Sequence, residues 1–135
     1  MKIRVIDTVK DLSPIFLRKI KRLAGKVAEK ETQLKELNIV LVNDHFIRKL
    51  NKKYLGKDRS TDVLSFNLGE IGEIYISIDT ARRNAKRYNF PAVFEIWRYT
   101  LHGILHIAGF EHKDKSHESQ MEQEEELYLK LWDNF

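Results

Sequence analysis

The chain contains no cysteine. Disulfide staples and thiolate chemistry are therefore excluded, and any metal ion must be held by nitrogen and oxygen ligands. No apolar run approaches the roughly 18–20 residues that cross a bilayer, so no membrane partner is expected. The N-terminus, MKIRVIDTVKDL, lacks the long apolar core of a signal peptide, which points to a cytoplasmic protein. No linker-like stretch, internal repeat or low-complexity segment interrupts the 135 residues. One domain over residues 1–135 is expected, a length that suits a single core.

What the chain does contain is that of a globular protein: 42% hydrophobic and 33% charged residues. The charge is unevenly spread. Residues 1–100 carry 21 Lys/Arg against 12 Asp/Glu, a net of +9; residues 101–135 carry 3 against 8, a net of −5. The basic part favours an anionic partner, and nucleic acid fits best. The plainer alternative is a set of solvated helix faces that are basic without function.

Residues 2–7, KIRVID, alternate and are rich in β-branched side chains, so a strand is predicted. Ser13-Pro14 reads as a helix start, with Phe16, Ile20, Leu23 and Val27 on one side as far as about Lys30. LNIVLV (37–42) is a second strand. Asn43 or Asp44 caps a helix ending near Tyr54, and 55–61 is a loop. VLSFNL (63–68) and EIYISI (73–78) are two more strands, joined through a turn in GEIGE. In the last strand Ile74, Ile76 and Ile78 share a face. Asp79 is expected to cap a basic helix, and Pro91 to open one that is apolar almost all round and therefore central and buried. Gly109 stops it in a left-handed cap. Ser116 caps a final acidic helix with Met121, Tyr128, Leu131 and Trp132 on its apolar side. The predicted fold is α+β: one four-stranded mixed sheet, with about five helices mainly behind it, the central one carrying three histidines.

Those histidines lie in HGILHIAGFEH, residues 102–112. On a helix His102 and His106 stack on one face. The chain turns at Gly109, and His112 returns toward the same point. Three neutral imidazoles converging at about 2.0–2.1 Å on one atom make a zinc-type site. A lone histidine on an apolar helix is more often a hydrogen-bonded core residue. Three, with a helix-ending glycine before the third, favour a ligand set. The spacing H-x-x-x-H-x-x-G-x-x-H equals the metzincin protease pattern except that Gly103 stands where those enzymes carry their general base. Peptidase chemistry is therefore not supported. His117, Glu111 or Asp114 can close the site as a structural fourth ligand. Without one, an open position remains for water, whose pKa falls toward about 7.

HGILHIAGFEH resembles the H-G-x-L-H-x-x-G-[YF]-[DE]-H signature of the YbeY family of bacterial rRNA-maturation endoribonucleases. LNKKYLGKDRSTDVLSFN is similar to that family's L-N-x-x-Y-R-x-K-D-x-x-T-D-V-L-S-F-P. Gly72-Glu73-Ile74 fits its G-[DE]-I strand start, and Met121 and Glu125 fit its terminal helix. The likeness runs from about Leu50 to Leu129. It implies a metal-dependent RNase acting on single-stranded RNA, notably the 3′ end of 16S rRNA, in ribosome maturation and quality control. His102, His106 and His112 then hold one Zn2+, and the ribosome or ribosomal proteins are partners. The sequence departs from the pattern at Leu55, where the family has an arginine thought to assist catalysis or bind RNA. It departs also at Ser60 and Asn67, where the family has proline, and at Glu111, where it has aspartate.

With Leu55 in the arginine's place, Arg59 in the same loop is the candidate for offsetting transition-state charge, with Lys57 behind it. Basic helices around Arg18–Arg22 and Arg82–Arg87 are expected to hold an RNA backbone without reading sequence. Tyr54 and Phe66 suit base stacking but also suit a core. Asp62 suits either a turn or the orientation of an imidazole. Two rival readings stand beside the nuclease: a peptidase-like hydrolase using the same metal, and an RNA- or ribosome-binding factor with a structural metal.

Overall fold

Alternation along the chain creates a sheet with two different faces. In β2 (Glu36–Val42), Leu37, Ile39 and Leu41 point one way and are fully buried, while Val40 and Val42 point the other. The computed structural model describes residues 1–109 and 115–134, without the side chains of 115–118 and 134. β1 (Lys2–Asp7), α1 (Pro14–Glu31) and β2 are followed by α2 (Asp44–Leu55), β3 (Val63–Asn67) and β4 (Ile71–Ser77). Then come α3 (Ile78–Tyr88), α4 (Ala92–Ile107), α5 (Lys115–Leu129) and the short α6 (Leu131–Asn134). The strand order is β1-β2-β4-β3. β2 pairs in parallel with β1 and β4, and β3 runs antiparallel to β4. The fold is the expected α+β arrangement with one mixed four-stranded sheet. No helix among the described residues is long and apolar enough to cross a membrane.

One face of the sheet carries the main core. Leu37, Ile39, Leu41, Ile74 and Ile76 meet Ile20, Leu23 and Val27 of α1 and Ile96, Trp97, Leu101 and Ile104 of α4. The other face is covered by α2, where Ile47 packs on Val42 and Leu64. The expectation of helices mainly behind the sheet thus misses one. α2 is amphipathic like the rest, and hydrophobic periodicity does not say which face of a sheet a helix covers.

The element ends show why some boundaries shift. Asn43 caps α2, its side chain accepting from the Phe46 N–H at 2.8 Å, and Gly56 closes it in the left-handed region. Ser13 occupies the cap position of α1 without a side-chain cap bond. α3 starts earlier than expected. Ser77, not Asp79, is its cap, accepting from the Thr80 N–H at 3.2 Å. Asp79 instead accepts from the Asp44 N–H at 2.9 Å, at the start of α2. Ile78 is therefore helical, although it stays buried like Ile74 and Ile76. The β3–β4 turn is tighter than the predicted one, with the Leu68 N–H donating to the Ile71 carbonyl at 2.9 Å. Pro91 takes the cap position of α4, and Ser116 lies inside the first turn of α5.

Asp44 ties the starts of α2 and α3 together. It accepts from the Ser77 hydroxyl at 2.6 Å and the Thr80 hydroxyl at 2.9 Å, and it pairs with Arg83 at 2.7 Å. Partial burial pushes the carboxyl up, but hydrogen bonds from Arg83, Ser77 and Thr80 outweigh it and hold the group below its ordinary value.

α4 approaches β4 closely at Gly103. A Cβ there would lie 2.9–3.1 Å from three side-chain atoms of Ile74. Ile74 is fully buried and β-branched, so it has little room to yield.

Two outcomes follow from these contacts. Gly103→Ala is expected to lower stability, because overpacking costs about 1–3 kcal/mol against a helix-propensity gain of about 1 kcal/mol. A urea midpoint below wild type, partly restored by adding Ile74→Val, is the expected result; an unchanged midpoint counts against the close approach. Asp44→Asn is expected to be less stable than wild type at neutral pH. Because the folded-state pKa is depressed, the stabilisation is present above the unfolded value of about 4 and fades as pH falls through the folded value. The two proteins should therefore converge in acid urea titrations, and a constant gap would oppose the assignment.

Candidate metal centre

His102 and His106 come together as their spacing dictates. Their ring centroids are 4.6 Å apart with planes at 62°, and both side chains are half-buried at the margin of α4. Gly103, one residue on, points into the sheet. A helix turns by about 100° per residue, so the close contact at Gly103 also fixes the direction of the imidazoles.

α5 supplies a partner that sequence reasoning did not assign. Glu125 Oε1 lies 2.6 Å from His102 Nδ1. An ionised carboxylate only accepts, so Nδ1 carries the proton and Nε2 keeps its lone pair. This is the arrangement by which metal-binding imidazoles are commonly oriented. Several contacts hold α5 and α6 in place. Met121 is buried, and the Tyr128 hydroxyl donates to Glu31 of α1. Burial, then Glu31, push that phenol well above its ordinary value. Trp132 sits under Lys19 at 3.8 Å and edge-on to Phe94 at 6.4 Å. Glu125 belongs to the run Glu124–Glu126, in which nothing local distinguishes one carboxylate from its neighbours. The family likeness names Glu125 without a role, and the docking of α5 on α4 supplies one.

After His106 the helix ends. The Ala108 N–H donates to the Ile104 carbonyl at 2.9 Å and the Gly109 N–H to the His106 carbonyl at 3.0 Å. Gly109 has φ +100°, so it turns the chain as its position predicted. His112, Glu111 and Asp114 lie outside the described residues, and the His117 side chain does too. Among the described residues no group of three His, Cys, Asp or Glu side chains is placed to hold a metal. A three-ligand site would need at least one ligand from beyond them. The donors that are placed, two imidazoles with one oriented by a carboxylate, suit zinc chemically.

The loop before β3 is pinned from below. The buried Asn51 side chain donates to the Arg59 carbonyl at 2.9 Å. The Arg59 side chain is exposed and makes no hydrogen bond or ion pair among the described residues; Leu55 and Lys57 are exposed as well. Asp62 serves the turn. Its Oδ1 accepts from the Val63 N–H at 2.8 Å and the Thr61 hydroxyl at 3.3 Å. The two basic helices differ. Arg82 pairs with Asp11 and Arg83 with Asp44, so half of the α3 cluster is tied into the fold. On α1, Arg18, Lys21, Arg22 and Lys26 line an open cleft of ≈ 710 Å³ beside β1, together with Lys2.

Comparison with known proteins finds relatives over most of the chain. Residues 6–133 match the family model described as Endoribonuclease YbeY. The chain is 37% identical to an Endoribonuclease YbeY of Chloroherpeton thalassium over 134 residues, covering 96% of this chain and 94% of that protein. It is 33% identical to one from Thermotoga maritima, covering 87% and 81%. A solution structure of a Thermotoga maritima protein superposes with a TM-score of 0.71 at 29% identity, covering 96% of this chain and 88% of that one.

The orientation of His102 can be tested without any metal. Imidazole 15N shifts, read at a pH where the ring is neutral, should show the proton on Nδ1 in wild type and a mixture of tautomers in Glu125→Leu. The same mixture in both proteins would remove Glu125 from the site.

Proposed function

The chain belongs to the Endoribonuclease YbeY family, and on that premise we propose that it is a zinc-dependent endoribonuclease that cuts single-stranded RNA in the cytoplasm. Its substrate is the 3′ end of 16S rRNA during ribosome maturation, with the ribosome or its proteins as partners. The observation that carries this reading is the paired imidazoles of His102 and His106, one of them oriented by Glu125.

His102, His106 and His112 would hold one Zn2+. When bound, zinc supplies Lewis-acid polarisation of the scissile phosphodiester. The chain's own groups bind and position. Glu125 keeps His102 in the tautomer that leaves Nε2 for the metal. Arg59, on a loop anchored through its backbone, offsets charge on the transition-state oxygens, with Lys57 as its neighbour. The α1 cleft holds RNA phosphates without reading bases. The peptidase alternative loses support at Gly103. That position faces Ile74 at contact distance, so a general base there would point into the sheet and away from the imidazoles.

Three measurements test the proposal. Zinc-loaded wild type should cut single-stranded RNA, and His106→Ala should lose cleavage by about 100-fold or more while still binding RNA, as expected when a catalytic metal is lost. Equal residual cleavage in both would indicate a contaminating nuclease and a structural metal. Glu125→Gln should bind zinc about 10–100-fold more weakly by calorimetry. RNA affinity should fall steeply with added salt, and a flat response would remove the α1 cleft from the RNA surface.

A further inference from the structure

Among the described residues α2 packs on the sheet face turned away from α4, and it leaves part of that face open. There a cleft of ≈ 180 Å³ is lined by Leu50, Tyr54, Phe66, Leu68, Glu73 and Tyr75. Three aromatic rings line it, Tyr54, Phe66 and Tyr75, and a fourth, Phe46, continues the row beyond the lining. Phe46 stacks on Tyr75 at 6.3 Å, Tyr75 meets Phe66 at 5.9 Å, and Phe66 meets Tyr54 edge-on at 5.5 Å. The end members are solvent-facing, Tyr54 at 56% and Phe46 at 45% exposure. A single exposed ring is ordinary, but a connected row around a concavity marks a binding surface.

The rim carries positive charge. Phe46, Leu50 and Tyr54 form one stripe of α2, and helical spacing puts Lys49 and Lys53 directly beside it. Lys53 Nζ lies 5.2 Å from the Tyr54 ring. Neither lysine is in an ion pair among the described residues, whereas Arg48 and Lys52 both face Asp58. The lining contains one carboxylate, Glu73. It receives only a long hydrogen bond from the Tyr75 hydroxyl, 3.4 Å, and retains acceptor capacity.

We propose that this cleft is a nucleobase subsite for single-stranded RNA that prefers bases bearing an exocyclic amino group. Aromatic faces take the base by stacking, and Lys49 and Lys53 take the flanking phosphates. Glu73 accepts from the amino group, which cytosine has and uracil lacks. An apolar lining with a cationic rim fits a ligand that is flat, ring-bearing and anionic. The inference rests on the RNA reading above and adds to it a second contact. Tyr75 follows Ile74, so it points to the opposite face of the sheet from α4 and its histidines. An RNA that touches both passes from one face of the sheet to the other.

The test uses the full chain carrying His106→Ala, which keeps the RNA intact, and fluorescent oligo(C) and oligo(U) followed by anisotropy. Oligo(C) should bind more tightly than oligo(U). Tyr54→Ala should weaken oligo(C) about ten-fold, while Tyr54→Phe retains binding. Glu73→Gln should narrow the C-over-U ratio, and Lys53→Glu should weaken both oligonucleotides alike. Because Tyr54 and Phe46 are exposed, their alanine variants report on binding rather than folding. If Tyr54→Ala and Phe46→Ala bind both oligonucleotides as the parent does, the subsite is wrong while cleavage by wild type still stands. If the parent protein binds no RNA, the RNA reading itself has failed and the subsite falls with it.

Discussion

The contact between Gly103 and Ile74 is the constraint from which the rest of the molecule is arranged. Without a side chain at 103, α4 settles on β4 at a distance that a single added carbon would block. That approach lets Trp97, Leu101 and Ile104 fill the space between helix and sheet with no exposed atoms. It also sets the rotation of the helix. His102 and His106 are turned to the margin, where α5 meets them, rather than into the core or fully into solvent. One small residue therefore does two things: it removes the base a protease would need, and it seats the imidazoles.

The acidic C-terminal part and the basic body meet at defined points. Tyr128 of α5 reaches Glu31 of α1, and Trp132 of α6 lies beneath Lys19. A net charge of +4 for the whole chain conceals this division. The α1 cations stay around an open cleft, while Arg82 and Arg83 of α3 hold loops and helix ends together. Counting cations along the sequence treats the two helices alike. The positions of Asp11 and Asp44 show that Arg82 and Arg83 brace the fold, which a count of cations does not.

Much of the fold was legible because local chemistry and tertiary structure agree. Alternation marked β1 and β4, short apolar runs marked β2 and β3, Pro14 and Pro91 marked helix starts, and Gly109 marked the end of α4. The imidazole pair follows from helical periodicity alone. Misreadings arose where two residues competed for one role. Ser77 and Asp79 both make good caps; Asp79 is drawn to the Asp44 N–H across a separation of 35 residues, which leaves the cap to Ser77. The side of the sheet taken by α2, and the contact of Glu125 with His102, depend on packing between distant segments, which no local pattern encodes. His112 lies outside the described residues, so its convergence rests on spacing and family likeness.

The parallel pairing of β2 with β4 has a consequence for how the molecule comes apart. Glu36 sits opposite Ile71, and α2 and β3 lie between them in the chain. Such a pairing closes a long loop before it returns any contact, so it forms slowly and as part of the whole. Once formed, β2 and β4 each have a strand on both sides, while β1 and β3 lie at the edges. Amide protons at the centre are then released to solvent only by global unfolding, and those at the edges by smaller openings. α4 rests on β4, so the platform beneath the imidazoles exchanges among the slowest parts of the chain. Fraying at the margins leaves it in place.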